Sequence, residues 1–275
     1  MNKGILLLMV CCLFFFCGNA QSYRADFNNA LEKKNMTKME EILKAWDFAD
    51  SNDPDLYIAY FNFYTLKSQQ VSMLSATGYD RNFSKQALGF ITEGIIRFPT
   101  RFDMRIAKIH MLGVLRDYPA YVDEVIAMIR YSVEIQNNWK REEYLILDKP
   151  DAMFYDAVLE YQGFLFSKND PALHKEIIRI SEEMLKFYPK HVQSLLSMST
   201  VYDRQKEVDK SLTVLTKALA IEPANAVVMY RLALVYYQKS DRANVKKYLE
   251  LAVKNCKEDE TELKEKALKR LAELK

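Results

Sequence analysis

The side chains of this sequence that could perform chemistry are few and scattered. Neighbouring acidic residues could supply general acid–base catalysis, but adjacent positions on a helix point in different directions; the pairs are Glu40-Glu41, Glu142-Glu143 and Glu182-Glu183. The three histidines have no His or Cys partner at a metal-binding spacing; they are His110, His174 and His191. We therefore expect no catalytic residue, no metal, no cofactor and no enzyme activity.

Three of the four cysteines lie in an N-terminal segment that is typical of an export signal. Asn2-Lys3 gives a short basic start, the run 4–16 is apolar, and Gly18-Asn19-Ala20 supplies small residues before Gln21. The apolar run has 13 residues, and a helix of that length spans only about 20 Å of a hydrocarbon core about 30 Å thick. The sequence predicts a signal peptide over 1–20 and an exported chain, periplasmic or secreted, with no integral membrane segment after cleavage.

Two alternatives for this segment remain open. Cleavage before Cys17 would produce a lipidated N-terminus, as in bacterial lipoproteins, whereas cleavage after Ala20 would remove every cysteine except Cys256. A lone cysteine forms no internal disulfide, so we expect packing to stabilise the exported chain.

Charge excludes one class of partner. The sequence has 39 basic and 37 acidic side chains, and they are interspersed along it. A nucleic-acid-binding protein needs a concentrated basic face, so we expect no nucleic-acid partner.

The elements that would position functional side chains are marked by prolines and by a repeated apolar pattern. Pro189 and Pro223 each close one amphipathic stretch and open another. Each is followed by the same succession of bulky, small and aromatic residues at helical spacing. The first copy contains Leu195, Met198, Ser199, Tyr202, Ser211, Leu215 and Ala218; the second contains Met229, Leu232, Ala233, Tyr236, Val245, Leu249 and Ala252, with Lys257 where a proline would fall.

This pattern resembles the tetratricopeptide repeat (TPR), a helical hairpin with a 34-residue period. The interval from Pro189 to Pro223 equals that period. The small residues would lie where two helix backbones approach closely, since a larger side chain would separate them. The resemblance implies an all-α, right-handed α-solenoid over 21–275, with about six hairpins and a C-terminal capping helix. Its clearest repeats are 191–224 and 225–258, followed by the cap at 259–274. Only 7 Gly and 7 Pro in 275 residues agree with a helical chain.

The apolar periodicity and the turn residues predict thirteen helices. Their expected bounds are 22–34, 36–50, 54–68, 84–98, 101–117, 119–136, 151–167, 171–188, 191–205, 207–221, 225–239, 241–256 and 259–274.

Two segments, 67–83 and 136–151, interrupt the repeat spacing. The first is either a ligand-contacting loop or an extension of the preceding helix. In the second, Trp139 either anchors a partner or folds back as a lid on the solenoid edge. A further irregularity is the helix at 54–68, which is apolar all round and is therefore either buried on both sides or a docking element; its aromatic residues are Tyr57, Tyr60, Phe61, Phe63 and Tyr64.

The family resemblance implies that the first helix of each hairpin lines a concave groove. The residues that would project there combine aromatic rings with an arginine, as partner hot spots do. They are Gln193, Leu196, Ser197, Thr200, Asp203, Arg204, Val227, Tyr230, Arg231, Leu234, Tyr237 and Gln238. Alternatively, Tyr230 and Tyr237 pack against the preceding hairpin. Leu196, Thr200 and Val227 replace the Lys and Asn residues with which some family members hold a terminal carboxylate, so that ligand class is not supported.

These observations favour a non-catalytic scaffold of the cell envelope that binds a peptide or helix of another protein in its groove. One alternative is a lipid-anchored subunit of an outer-membrane assembly complex. Another is an envelope hydrolase or transferase with its site in the irregular segments. The sequence predicts neither the partner's identity nor the oligomeric state.

Overall fold

The computed structural model describes residues 22–71, 77–141 and 149–274. The expected signal peptide over 1–20 with Cys17, the segments 72–76 and 142–148 with the pair Glu142-Glu143, and Lys275 lie outside the described residues. Within the described ranges the chain contains no strand, only an isolated bridge between Arg101 and Lys140. The all-α prediction is confirmed.

All thirteen expected helices are present in the described part of the chain, most within a few residues of their expected bounds. They are α1 (22–32), α2 (Met36–Ala49), α3 (Pro54–Val71), α4 (Arg81–Arg97), α5 (Phe102–Val114), α6 (Tyr118–Glu134), α7 (Pro150–Ser167), α8 (His174–Phe187), α9 (Val192–Arg204), α10 (Val208–Ile221), α11 (Ala226–Gln238), α12 (Arg242–Asn255) and α13 (Thr261–Glu273). A single 3-10 turn, Pro171–Leu173, precedes α8. None of these helices combines the length and apolar character needed to span a bilayer.

Short polar side chains begin several of the helices. The side chain of Asp80 accepts hydrogen bonds from the backbone N–H groups of Asn82 and Phe83, and Asn225 accepts one from Val228 N. These bonds satisfy N–H groups that have no partner inside the helix. The helix starts therefore follow from local sequence.

The described chain divides into two compact units. The first comprises the residues up to Glu124 together with Glu134–Pro150, and the second comprises Val125–Val133 together with Asp151–Lys275. Helix α6 thus contributes its first half to one unit and most of its second half to the other.

In the first unit, consecutive helices pack on one another, α2 on α3, α3 on α4 and α4 on α5. At Gly94, α4 packs tightly against Tyr57 of α3 and Met104 of α5. A Cβ atom at Gly94 would lie 2.9 Å from Tyr57 Cβ and 3.0 Å from the sulfur of Met104, which is closer than real Cβ contacts. Only glycine fits this contact.

In the second unit, helices α8 to α13 pack in series along the sequence. Each boundary of α9 and α10 recurs one repeat period later in α11 and α12. The small residues expected at the helix contacts are buried; they are Ser199, Ala218, Ala233 and Ala252. The two C-terminal repeats therefore have the structure that their sequence spacing predicts.

The irregular segments are only partly described. Helix α3 extends through Val71, three residues beyond its expected end, and its Ser68 hydroxyl donates to Asp80 O at 2.8 Å. In the second segment, Trp139 is completely buried and packs on Phe102, with ring centroids 5.2 Å apart. The partner-anchor interpretation of Trp139 is therefore wrong, because its ring is closed off inside the first unit.

Candidate functional site

The expected groove residues lie on α9 and α11, and an arginine joins these two helices. Arg231 Nη1 donates to Leu196 O at 2.9 Å, to Ser199 Oγ at 3.1 Å and to Thr200 Oγ1 at 2.7 Å. Two hydrogens on Nη1 are thus shared among three acceptors, all on α9. This arrangement fixes the guanidinium to the protein's own backbone and side chains.

A neighbouring carboxylate keeps an unused acceptor. Asp203 Oδ1 is shielded from solvent and has no hydrogen-bond partner among the described residues. Burial lowers the pKa of Arg231, and the negative charge of Asp203 opposes that change. Arginine nevertheless remains charged at physiological pH, so the pair places a fixed positive charge beside a carboxylate oxygen that is closed to solvent.

The expected groove residues differ widely in exposure. Leu196 and Ser197 are buried and closed to a partner. Leu196 joins the apolar cluster of the second unit, and Ser197 Oγ donates to Gln162 Oε1 on α7 at 3.0 Å. Gln193, Arg204, Tyr237 and Gln238 are exposed, while Thr200, Asp203, Val227, Tyr230, Arg231 and Leu234 are half-buried.

The two tyrosines of α11 have different environments. Tyr237 is 63% exposed. The hydroxyl of Tyr230, by contrast, accepts a hydrogen bond from Arg270 Nε at 3.1 Å, and its ring packs on the cluster that contains Ala267. Tyr230 therefore contacts the following helix α13, whereas the sequence suggested the preceding hairpin as the alternative. Tyr237 is the more accessible of the two rings.

Sequence reasoning missed the contribution of α13. Arg270 and Glu273 line a small cleft of about 100 Å³ together with Leu234 and Tyr237. The expected role of this helix was only to cap the last repeat. Helix α13 follows α12 as α11 follows α10, and α11 carries expected groove residues. This order along the chain was the signal that could have added Arg270 of α13 to the site.

Arg204 is engaged within the second unit. Its guanidinium carbon lies 5.0 Å from the centroid of the Phe166 ring on α7. Such a cation–π contact holds the charge against the protein surface. Arg204 is exposed but already oriented.

The residues considered for chemistry occupy separate positions. His110 is exposed on α5, His174 is buried at the start of α8, and His191 precedes α9. His191 Nδ1 is hydrogen bonded to Ser194 Oγ at 2.8 Å, and burial lowers the pKa of its imidazole. Across the ranges 22–71, 77–141 and 149–274, no group of three His, Cys, Asp or Glu side chains is arranged to hold a metal ion.

The serial packing of helical pairs, with boundaries that recur at the interval between Pro189 and Pro223, defines a tetratricopeptide-type α-solenoid fold. No family model and no curated protein matches the sequence. Similar solved structures include that of YrrB, described as a TPR protein with an unusual peptide-binding site. It is 14% identical, with 82% of this chain and 97% of that chain covered and a TM-score of 0.44.

Two further structures show comparable similarity. That of Pseudomonas aeruginosa pilF is 14% identical, with 79% of this chain and 91% of that chain covered and a TM-score of 0.39. A tetratricopeptide repeat protein from Parabacteroides merdae is 12% identical, with 93% of each chain covered and a TM-score of 0.38. The fold assignment rests on the helix packing of the present chain and not on these similarities.

Proposed function

We propose that this protein is a non-catalytic scaffold that holds a peptide segment of a partner protein along α9 and α11. The observation that carries the proposal is the open ring of Tyr237 on α11, 63% exposed, together with the half-buried carboxylate of Asp203 on α9, the helix to which Arg231 ties α11. They offer an aromatic surface and a negative charge to a ligand.

Asp203 would contribute its negative charge to binding. The side chain is half-buried, and its Oδ1 atom is shielded from solvent and so closed to a direct contact with a peptide. The charge would still favour a peptide that presents hydrogen-bond donors to this part of α9. Such an attraction to main-chain N–H groups depends little on the sequence of the peptide.

Tyr237 would provide most of the apolar contact. A tyrosine ring buries a large area while losing few rotatable bonds, which is why such residues are frequent at binding hot spots. Leu234 extends the same surface, since it lies three residues before Tyr237 on α11. Together they would select an apolar side chain in the peptide.

Arg231 is a positioning residue in this proposal. Its hydrogen bonds to α9 hold the two helices in register, so its substitution would alter the groove itself. Tyr237 is the better residue to substitute, because its exposed ring has no comparable structural role.

The test uses peptides selected from a random 12-residue library on the wild-type protein. We expect Tyr237→Ser to weaken their binding about tenfold or more, as measured by fluorescence anisotropy. Val71→Ser is the matched control, since Val71 is a comparably accessible apolar residue, 56% exposed, that lines neither candidate site. Equal effects of the two substitutions, or no effect of Tyr237→Ser, would exclude α11 as the binding surface.

We further propose that the scaffold acts outside the cytoplasm, supported by the export signal in 1–20. The intact mass of the protein from its native host tests this proposal. A chain that starts at Gln21 supports export as a free protein, a lipidated start at Cys17 supports the anchored alternative, and an unprocessed Met1 contradicts both.

A further inference from the structure

A second cleft lies in the first unit, between α2, α3 and α4, with a volume of about 510 Å³. It falls within the size range of ligand-binding pockets, which is about 300–1,000 Å³. Its lining residues are Asp47, Ser51, Leu56, Tyr57, Tyr60, Gln86, Gly89, Phe90, Glu93 and Arg97. None of them belongs to the groove on α9 and α11.

Aromatic rings form one wall of this cleft. Tyr60 of α3 stacks on Phe90 of α4 with centroids 4.2 Å apart, and Tyr64 stacks on the same ring at 5.4 Å. Leu56 and Tyr57 continue the apolar surface. The ring-rich face of α3 that the sequence left unassigned is therefore divided between the core and this cleft.

The absence of a side chain at Gly89 leaves open space in the cleft, and no close packing contact requires a glycine at this position. A Cβ atom added at Gly89 would have no neighbour within 4 Å, in contrast to Gly94 on the same helix, where a Cβ atom would collide with Tyr57. A glycine inside a helix is unfavourable compared with alanine, so it usually remains where another group approaches closely. No residue of the described chain makes that approach at Gly89.

The charges of the cleft leave one carboxylate without a cation. Glu93 and Arg97 form an ion pair at 2.7 Å, and Arg97 also lies over the Tyr57 ring. The Asp47 carboxylate accepts a hydrogen bond from the Tyr60 hydroxyl at 3.1 Å. Within the described residues it has no ion-pair partner, so the cleft favours a positively charged group.

Large apolar side chains stand beside the cleft. Phe48 is 94% exposed and Ile96 is 68% exposed. Ile96 lies three residues after the lining residue Glu93 on α4 and therefore on the same helix face. Phe48 directly follows the lining residue Asp47 near the end of α2. Exposed apolar groups around a pocket are typical of a surface that contacts another protein. A small molecule would fill the cleft and leave both side chains in water.

We propose that this cleft docks a segment of a partner protein that presents a lysine or arginine beside an aromatic or aliphatic side chain. The apolar side chain enters over Gly89 against the Tyr60 and Phe90 rings, and the cation pairs with Asp47. Apolar residues on either side of this anchor cover Phe48 and Ile96. The site goes beyond the peptide groove on α9 and α11 and does not depend on it.

The test uses a helical model peptide of Lys, Leu and Phe, and its counterpart with Glu in place of each Lys, in fluorescence anisotropy titrations. We expect the basic peptide to bind the wild-type protein and the acidic peptide to bind at least about tenfold more weakly. Gly89→Leu, which places a side chain in the cleft, should weaken the basic peptide by about tenfold or more. Asp47→Asn should weaken it less, and most at low salt.

Gly163→Leu is the matched control, because Gly163 lies inside α7 and also has open space at its Cβ position. It should leave binding of the basic peptide unchanged, and thermal unfolding checks that both leucine variants remain folded. Equal binding of the two peptides, no binding of the basic peptide at millimolar concentration, or equal losses in both glycine variants would overturn the proposal.

A small-molecule site is a separate outcome of the same test. Binding of phenethylamine at Gly89 without binding of the basic peptide would overturn docking of a partner in favour of a small cationic ligand. Because Tyr237→Ser lies in the other unit, its effect on library-selected peptides reports only on the groove. Failure of one proposal is therefore distinguishable from failure of the other.

Discussion

The two units differ in the side chains that lie where their helices meet: small residues recur at fixed positions in the second unit, whereas a buried arginine links α3 to the start of α5 in the first. Ser199 and Ala233 allow close approach between successive helices of the second unit, at positions one repeat period apart. In the first unit, Arg101 is 1% exposed and bonds both Asp55 of α3 and Asp103 of α5, at 2.7 Å each.

This difference shows two ways of building a series of hairpins. A regular repeat needs only a small residue at a fixed offset, because each hairpin presents the same surface to the next. The first unit lacks that spacing, since the interval from Pro54 to Pro99 exceeds the repeat period. Specific side-chain pairs then determine how its helices meet. Removing one partner of a buried ion pair is strongly destabilising, because the other charge stays buried without compensation.

Arg101→Met should have the largest effect on stability. The substitution removes the buried cation that Asp55 and Asp103 share. Asp55 keeps its ion pair with Arg24 at 2.9 Å, whereas Asp103 loses its cation, and we expect the free energy of unfolding to fall by about 3 kcal/mol. The two carboxylates retain some access to water, which places the loss at the lower end of the range for buried pairs. Urea denaturation followed by circular dichroism measures it.

Arg97→Met is the control for this prediction. Arg97 pairs with Glu93 on the exposed surface of α4, where water screens the pair, so its loss should have a much smaller effect on stability than the loss of Arg101. If Arg101→Met cost no more than Arg97→Met, buried charge would not be what joins the helices of the first unit.

Gly94→Ala tests whether the first unit also depends on a small residue. The new Cβ atom would meet Tyr57 and Met104 at 2.9 and 3.0 Å, so we expect a loss of about 1–3 kcal/mol from overpacking. Gly163→Ala, in open space, should instead stabilise the protein by up to about 1 kcal/mol. Thermal unfolding of both variants gives the comparison, and a stabilising Gly94→Ala would show that α3 and α4 can separate at little cost.

The smallest expected effect concerns pH and the second unit. Burial lowers the pKa of His191 below its ordinary value of 6.5, although Glu222 opposes the change. The unfolded chain therefore takes up a proton at this position before the folded one does. The contribution of His191 to stability is complete above pH 6.5 and declines as the pH falls toward its folded-state pKa.

His191→Gln should flatten the dependence of the free energy of unfolding on pH between 7 and about 5.5. Parallel slopes for the wild type and His191→Gln would show that His191 has the same pKa in both states.

The sequence was sufficient to predict the helices of both units and the helix–helix contacts of the second unit. Apolar spacing depends on local geometry, so Leu215 and Ala218 could be assigned to the core from their offset to Pro223. The environment of Arg231 could not be assigned in this way. Its hydrogen bonds to α9 depend on the distance between two helices. A sequence pattern predicts on which helix face a residue lies, but not which atoms of a neighbouring helix its side chain contacts.

Contacts between helices also decide which residues of the candidate sites are accessible, and the sequence pattern did not predict these contacts. Leu196 occupies a groove position by spacing but is buried because Val192, Leu195 and Leu215 surround it. The cleft over Gly89 requires α2, α3 and α4 together, and no local pattern indicated it. Predictions from spacing are therefore reliable within a helix and weaker wherever three elements meet.

The tie between Arg231 and α9 has a consequence for the kind of molecule this protein can recognise. With that guanidinium occupied internally, Asp203 and Asp47 are carboxylates without an ion-pair partner among the described residues of the two candidate sites. A nearly neutral chain would thereby discriminate against acidic ligands and favour those rich in amide or ammonium hydrogens, and added salt would weaken its attraction to cationic ones.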